Sequence, residues 1–417
     1  MGKILRSFTQ GTLPTLIRNR KYYEGDQDIN RRVFSDATKP NNKVVKNYCR
    51  EIVDNYTGYI AGVPITYTAK NGKDITPLLD VFEYNDYINV DNLLLKSALI
   101  YGIGTELVYI NKDNKKCFKN LNPECVVPIY SADLDEDLLY VIYFTPIVDW
   151  NKDEWETRYN VSVYDNSAIY HYICDSGFNN FSSVGTELHY FQEVPFSIFD
   201  LDEGIFECVI SLQDAYNKLI SDEVNGKEAF VDAYLILKNV VATREDLQQM
   251  KEDRVLQLDD NSDASYLIKG TDGTDTQNLL DRLDKAIHTV SASPDFNDSS
   301  MNGGVSSGVA IKYKLINFDN KSQSIESKMR KALENRIWLL NSIFTLVDTE
   351  AFDVEITFTE NIPTDLSGIA SMINSLRGLV SDETLISQLP FVNDVEAEVQ
   401  KVKEQNEGLV LYDFNKE

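Results

Sequence analysis

The stretch from Ser291 to Val347 constrains this chain most, because it joins a segment that cannot pack to one that must. Its first part, SASPDFNDSSMNGGVSSG, is dense in Ser, Asn, Asp and Gly and has almost no packing side chains. Such a segment cannot bury enough apolar area to fix itself. From Val309 to Val347 the pattern changes. Ile325, Met329, Leu333, Ile337, Leu340, Phe344 and Val347 recur at three- and four-residue spacing, which is one face of a long helix. Ser306 and Ser307 are N-cap candidates, and Gly308 permits the turn into the helix. The expectation is a loose loop at the end of a long, anchored rod.

The rod carries Lys312, Lys314, Lys321, Lys328, Arg330, Lys331 and Arg336 against Asp319, Glu326 and Glu334, in a chain of net charge −26. The plain reading of this charge is a solvated helix face. Lys312 and Lys314 are different, because cations in a first turn oppose the helix dipole. Helix stability does not explain them, and they read as facing something negative beside the loop.

At 417 residues the chain has room for two or three domains and a large core. Its acidic excess argues against wrapping nucleic acid over an extensive basic surface, but suits a local contact or a repulsive channel. Cys49, Cys117, Cys125, Cys174 and Cys208 show no C-x-x-C spacing, which reads as buried thiols in a reducing compartment. No signal sequence and no membrane span are expected.

Met1 to Arg50 is a second basic region, with eleven basic side chains against four acidic ones. Val44, Val45, Tyr48, Ile52, Val53, Tyr56 and Ile60 predict an amphipathic helix capped by Asn41-Asn42 and ended by Gly62-Val63-Pro64. Ile65-Thr66-Tyr67 opens a strand. Leu78 to Tyr101 predicts one further helix broken by Gly102 and Gly104, before a strand at Leu107–Ile110. From Cys125 to Phe199 the period drops to two in VVPIY, LLYVIYF, RYNVSVYD and AIYHYICD, predicting an antiparallel β subdomain.

A long helix is predicted from Ile205 to Leu237, with Leu212, Tyr216, Leu219, Val231 and Tyr234 among its periodic set. Asn239 to Gly270 reads as a small excursion, with a helical piece at Arg244–Lys251 and strands at Val255–Leu258 and Ser265–Ile268. Thr274 or Asp275 then caps a helix through Leu279, Leu280, Leu283, Ile287 and Val290, stopped by Pro294. The two helices would form a stalk with a small tip. Acidic side chains outnumber basic ones sixteen to nine between Cys208 and Val290. Such a stalk needs neighbouring copies to cover its apolar stripes, which argues for a ring or bundle. After Val347 come a strand at Val354–Phe358 and helices at Leu366–Val380 and Val395–Gln405.

Little points to catalysis. His171, His189 and His288 lack the sequence company of a metal site or triad, and His171 reads as a sheet-surface histidine. No G-x-x-x-x-G-K-[ST] occurs, so a nucleotide-driven motor is not expected. Asp259-Asp260 and the Asp133/Asp135/Glu136/Asp137 run read as solvated loops without EF-hand spacing. No catalytic residue, metal or cofactor is expected.

Five segments stand out in order: Tyr22-Tyr23-Glu24-Gly25, NNKVVKNYCREIVDNYTGYIAGVPITY (Asn41 to Tyr67), the Leu99–Tyr109 run LIYGIGTELVY, Pro195 to Asp222 ending in LQDAYNKLISD, and Ser306–Leu315. Taken together they resemble the portal (head-to-tail connector) proteins of tailed double-stranded DNA bacteriophages, of the type in siphophages of Gram-positive hosts. The resemblance implies an α+β portal-type fold: a mixed α/β wing, a two-helix stem, a small α/β clip, a flexible tunnel loop followed by a long helix, and a short helical crown. Carried over, 1–204 is the N-terminal part of the wing, 205–238 stem helix 1, 239–274 the clip and 275–290 stem helix 2. Residues 291–308 are then the tunnel loop, 309–360 the wing's long helix and strand, and 361–417 the crown.

The same resemblance implies a homo-oligomeric ring, a dodecamer, at one capsid vertex. Double-stranded DNA would pass through its channel in packaging and ejection. Asn297, Ser299, Ser300, Asn302, Gly303, Gly304, Ser306, Ser307, Lys312 and Lys314 would line that channel. Arg244, Glu245, Lys251, Arg254, Asp259 and Asp260 would form the clip's docking surface. The implied partners are the terminase large subunit, a head-tail adaptor, scaffold and the major capsid protein, with no membrane, in the virion and in the host cytoplasm during assembly. Two other readings stand beside this: a cytoplasmic enzyme with an acidic substrate site in its β-rich domain, and another phage minor head protein.

Overall fold

The fold is taken from a computed structural model, which describes residues 1–36, 39–70, 73–147, 158–229, 235–238, 243, 245, 248, 263–266, 273–296, 308–343, 353–361, 366–389, 392 and 395–413. The chain divides into two compact units, 1–298 with 314–360, and 299–313 with 361–417.

The larger unit opens with helices α1 (Gly2–Gln10) and α2 (Thr12–Glu24). The excess of basic residues here is largely spent in ion pairs. Arg18 meets Glu207 at 2.6 Å, Arg20 meets Glu124 at 2.6 Å and Arg32 meets Asp222 at 2.6 Å. Helix α3 (Tyr48–Ala61) begins later than its periodicity predicts. Its cap is Asn47, whose side chain accepts the Arg50 amide, and not Asn41-Asn42. Strand β1 (Thr66–Ala69) follows, then two helices in place of the single one expected: α4 (Thr76–Tyr84) and α5 (Tyr87–Tyr101). Asp86, at φ +52°, takes the left-handed turn between them.

Gly102 ends α5 at φ +82°, and a Cβ there would lie 2.7 Å from the Glu203 backbone, so both conformation and space require glycine. Strands β2 (Ile103–Ile110), β3 (Lys116–Leu121), β4 (Val126–Tyr130), β5 (Leu138–Ile147), β6 (Arg158–Tyr164), β7 (Ala168–Cys174), β8 (Ser182–Leu188) and β9 (Phe196–Asp200) come next. They form two antiparallel sheets, β3-β2-β9 and the meander β4-β5-β6-β7-β8.

The period of two is used on both faces of the meander. Val127, Ile142, Phe144, Val161 and Cys174 pack with Leu5 of α1 and with Phe178. Val126, Val141 and Tyr164 pack on the other side with Val194 and Phe196. Arg6 fixes α1 by donating to the Phe178 carbonyl at 3.0 Å and to Asn179 at 2.7 Å.

Helix α6 (Ile210–Ala229) is shorter than predicted. Leu235–Lys238 is a strand, β10, paired with β11 (Asp263–Tyr266), so the tip begins before Asn239. Helix α7 (Gly273–Ser291) returns. The predicted strand at Val255–Leu258 lies outside the described residues. Helix α8 (Gly308–Ile343) is the rod. Ile325, Met329, Leu333, Ile337 and Leu340 are all buried, as their spacing predicts, while Phe344 and Val347 lie outside the described residues. Ser197 donates to the Ala332 carbonyl at 2.6 Å and Asn335 to that of Phe196 at 3.1 Å, tying α8 to β9. Strand β12 (Val354–Thr357) closes on β1.

The smaller unit holds α9 (Leu366–Leu376), α10 (Asp382–Ile386) and α11 (Val395–Asp413). Ser381 caps α10 by accepting the Thr384 amide at 3.3 Å, with Asp382 and Glu383 favourably placed in the first turn. Among the described residues no helix is long and apolar enough to cross a membrane. The five cysteines are free, but Cys208 is exposed and Cys125 half-buried rather than buried as expected.

Candidate functional site

Helix α6 is held by a polar stripe that apolar periodicity does not reveal. Gln213, Asn217, Ser221 and Asn225 are four residues apart, so they share one face. That face lies along the irregular segment before α3. Gln213 accepts the Tyr48 amide at 3.0 Å and donates to the Lys46 carbonyl at 2.7 Å. Asn217 accepts the Lys46 amide at 3.1 Å and donates to Gln27. Ser221 accepts the Val44 amide at 2.9 Å, and Asn225 accepts that of Asn42 at 2.7 Å. Gln213, Asn217 and Ser221 are fully buried. These bonds satisfy a strap of backbone that would otherwise be desolvated without partners, which costs more than the net gain of about 1 kcal/mol per bond.

Helix α7 is anchored by charge. Asp284 accepts bonds from the Tyr48 hydroxyl and from Lys46 at 3.0 Å. Burial works to raise its carboxyl, but those bonds outweigh it and hold the group below the usual aspartate range. Of the predicted stalk stripes, Tyr216 and Ile287 are covered within the chain. Leu279, at 46% exposure, and Val290, at 49%, are not, and the inward position is Leu280 rather than Leu279.

Just past α7 the chain is firmly held. The Ser291 carbonyl accepts from Tyr56 at 3.0 Å and Lys321 at 3.4 Å, Asn55 donates to Ser293 at 3.0 Å, and Ala292 sits at φ +58°. His288 Nδ1 lies 3.0 Å from the Ser293 carbonyl. The expectation that His288 lacks companions is corrected by the fold. Glu51 of α3 and Asp295 bring carboxylate oxygens to it, and the three donor atoms lie within 4.8 Å of one another.

The loop candidates Asn297, Ser299, Ser300, Asn302, Gly303, Gly304, Ser306 and Ser307 lie outside the described residues. Lys312 and Lys314 fall in the opening turns of α8. Of the tip candidates, Glu245 is helical and exposed, while Arg244, Lys251, Arg254, Asp259 and Asp260 lie outside the described residues. The described tip is the β10–β11 hairpin, whose Lys238 and Asp263 are cross-strand partners with an exposed ion pair at 3.6 Å.

The rod's positive charge is not all solvated as the sequence suggested. Arg336 is fully buried, with Glu106 of β2 at 2.7 Å on two nitrogens and Asp91 of α5 at 2.5 Å. Tyr67 of β1 donates to the other Asp91 oxygen at 2.8 Å. Burial alone would lower the arginine's pKa, but the two carboxylates outweigh it and keep the guanidinium charged. This cluster clamps α8, α5, β2 and β1 together, a structural task.

His171 and His189 also have structural roles, the first beside Ser162 at 3.0 Å and the second at 2.8 Å from the Asp165 carbonyl.

Residues 9–409 match the family described as phage portal protein, SPP1 Gp6-like. A curated relative, the portal protein of Bacillus phage SPP1, is 21% identical over 420 residues, covering 94% of this chain and 83% of that protein. Among solved structures, a chain from the neck of a native GTA particle with C12 symmetry aligns over 81% of this chain and 88% of its own, at 9% identity and a TM-score of 0.45.

Proposed function

Because the chain belongs to the SPP1 Gp6-like phage portal family, we propose that it forms a ring at one capsid vertex, serving as the channel through which double-stranded DNA is packaged and ejected. The observation that carries this reading is the family match over residues 9–409, which takes in every element from α2 to most of α11. In this reading the portal is a structural component of the virion with no catalytic task.

The parts take their roles from that reading. Helices α6 and α7 are the stem, the segment from β10 to residue 272 the clip, 291–308 the tunnel loop and 361–417 the crown. The rest is wing. An acidic stem repels phosphate, so DNA slides without sticking, while Lys312 and Lys314 give weak, screened contacts beside the loop. The clip is the docking platform for terminase and the head-tail adaptor, and scaffold and the major capsid protein meet the ring elsewhere. Assembly takes place in the host cytoplasm, with twelve copies expected.

Exposed Leu279 and Val290 support assembly, since neighbouring copies would cover them. Light scattering on the purified chain tests this. A closed ring, lost or weakened in Leu279→Glu while the circular dichroism is kept, is the expected result. A stable, well-folded monomer at all concentrations would contradict the proposal.

A further inference from the structure

We propose that Glu51, His288 and Asp295 form a divalent-cation site that fastens the end of α7 to α3, immediately before residues 297–307. The donors come from three places in the chain: the first turn of α3, the last turn of α7, and the segment after α7. All three are half-buried, and one donor atom from each lies within 4.8 Å of the other two.

The imidazole is oriented for the task. A carbonyl oxygen only accepts, so at 3.0 Å from the Ser293 carbonyl the His288 Nδ1 must carry the hydrogen. Nε2 is then the ring nitrogen left to a ligand. Metal-binding histidines are held in this way, the second nitrogen donating to a carbonyl or carboxylate. The carbonyl cannot drift, because Ser293 is almost fully buried, receives Asn55 at 3.0 Å and donates its own amide to Ser291 at 3.2 Å.

One imidazole with two carboxylates suits a borderline first-row ion such as Zn²⁺, with water completing the shell. Ca²⁺ and Mg²⁺ prefer all-oxygen sets. The ion would make the leading end of the loop a fixed point while leaving the loop's own residues untouched.

The site is independent of the portal reading, since binding is measured on the purified full-length chain in whatever assembly it forms. Chelator-treated protein is titrated with Zn²⁺ and, separately, Ca²⁺ by calorimetry. The expected result is one Zn²⁺ per chain, with affinity lowered by roughly tenfold or more in Glu51→Gln and in Asp295→Asn. Circular dichroism of both variants should be unchanged, and Zn²⁺ should raise the melting temperature of the wild type only. His171→Asn should bind as the wild type does. No Zn²⁺ uptake, uptake unaltered in both carboxylate variants, or uptake lost in His171→Asn would overturn the site. Binding of Ca²⁺ as tight as that of Zn²⁺ would overturn the assignment of the ion.

Discussion

Asn217 of the first stem helix accepts the backbone amide of Lys46 at 3.1 Å, and the same side chain donates to Gln27. One residue thus ties α6 to two segments that are distant in sequence. Asn217→Ala should leave the Lys46 amide, Gln27 and part of Gln213 unpaired in the interior. We expect a loss of about 2–3 kcal/mol by urea denaturation, against less than about 1 kcal/mol for Asp222→Ala, which removes a partly exposed partner of Arg32. Equal losses in the two variants would contradict the role given to the strap.

Arg336 answers two buried carboxylates. Arg336→Met should cost about 3–5 kcal/mol, because Asp91 and Glu106 are then left without a counter-charge. Combining it with Asp91→Asn and Glu106→Gln should recover much of that loss. Denaturation of the single and triple variants checks the point, and a triple variant less stable than the single one would contradict it.

Glu326 provides a pH signature. Burial first, then Glu360 and Asp319, push its carboxyl up to about 7 against the pull of Arg330. A carboxyl that titrates higher in the folded chain than the ordinary 4.5 holds its proton longer than the unfolded chain does. Its contribution is therefore complete at low pH and is lost as pH rises through about 7. Glu326→Gln should raise the melting temperature at about pH 8 and flatten the decline between the two values. A variant that melts below the wild type at the higher pH would contradict this.

Much of this fold is legible in the sequence where one physical signal dominates. The rod's apolar face, from Ile325 to Leu340, and the alternation behind β4 to β7 are read from spacing alone. The failures share a cause: partners far away in sequence decide the local structure. Val44 and Val45 look helical, yet they lie outside any helix, where Ser221 receives the Val44 amide and Asn217 that of Lys46. Gln213, Asn217 and Ser221 look like a solvent face and are fully buried. The break at Asp86 has neither Gly nor Pro to announce it, and Leu235–Lys238 becomes a strand only through pairing with Asp263–Tyr266. Arg336 reads as one more rod cation until Asp91 and Glu106 close on it. Of the candidate sites, the loop and its lysines are proposed from composition and charge alone. The Glu51–His288–Asp295 grouping has no sequence spacing that could reveal it.

Removing Met301 to Val305 tests the loop assignment. The stretch removed includes Gly303 and Gly304, a residue type that on the portal reading would let a channel segment adapt to a moving polymer. Asn302 is the one polar side chain removed, and on that reading it would make brief contacts with phosphate rather than a tight ion pair. The deletion should leave ring assembly intact and reduce DNA packaging or retention, scored by protected full-length DNA. Normal packaging with full retention would contradict the assignment.

The central claim is most directly tested by electron cryo-microscopy of capsids assembled with a tagged form of this chain. The expected result is a closed ring with an axial hole, at a single vertex of each particle. Tag density at every vertex, or particles whose unique vertex carries no ring of this chain, would contradict it.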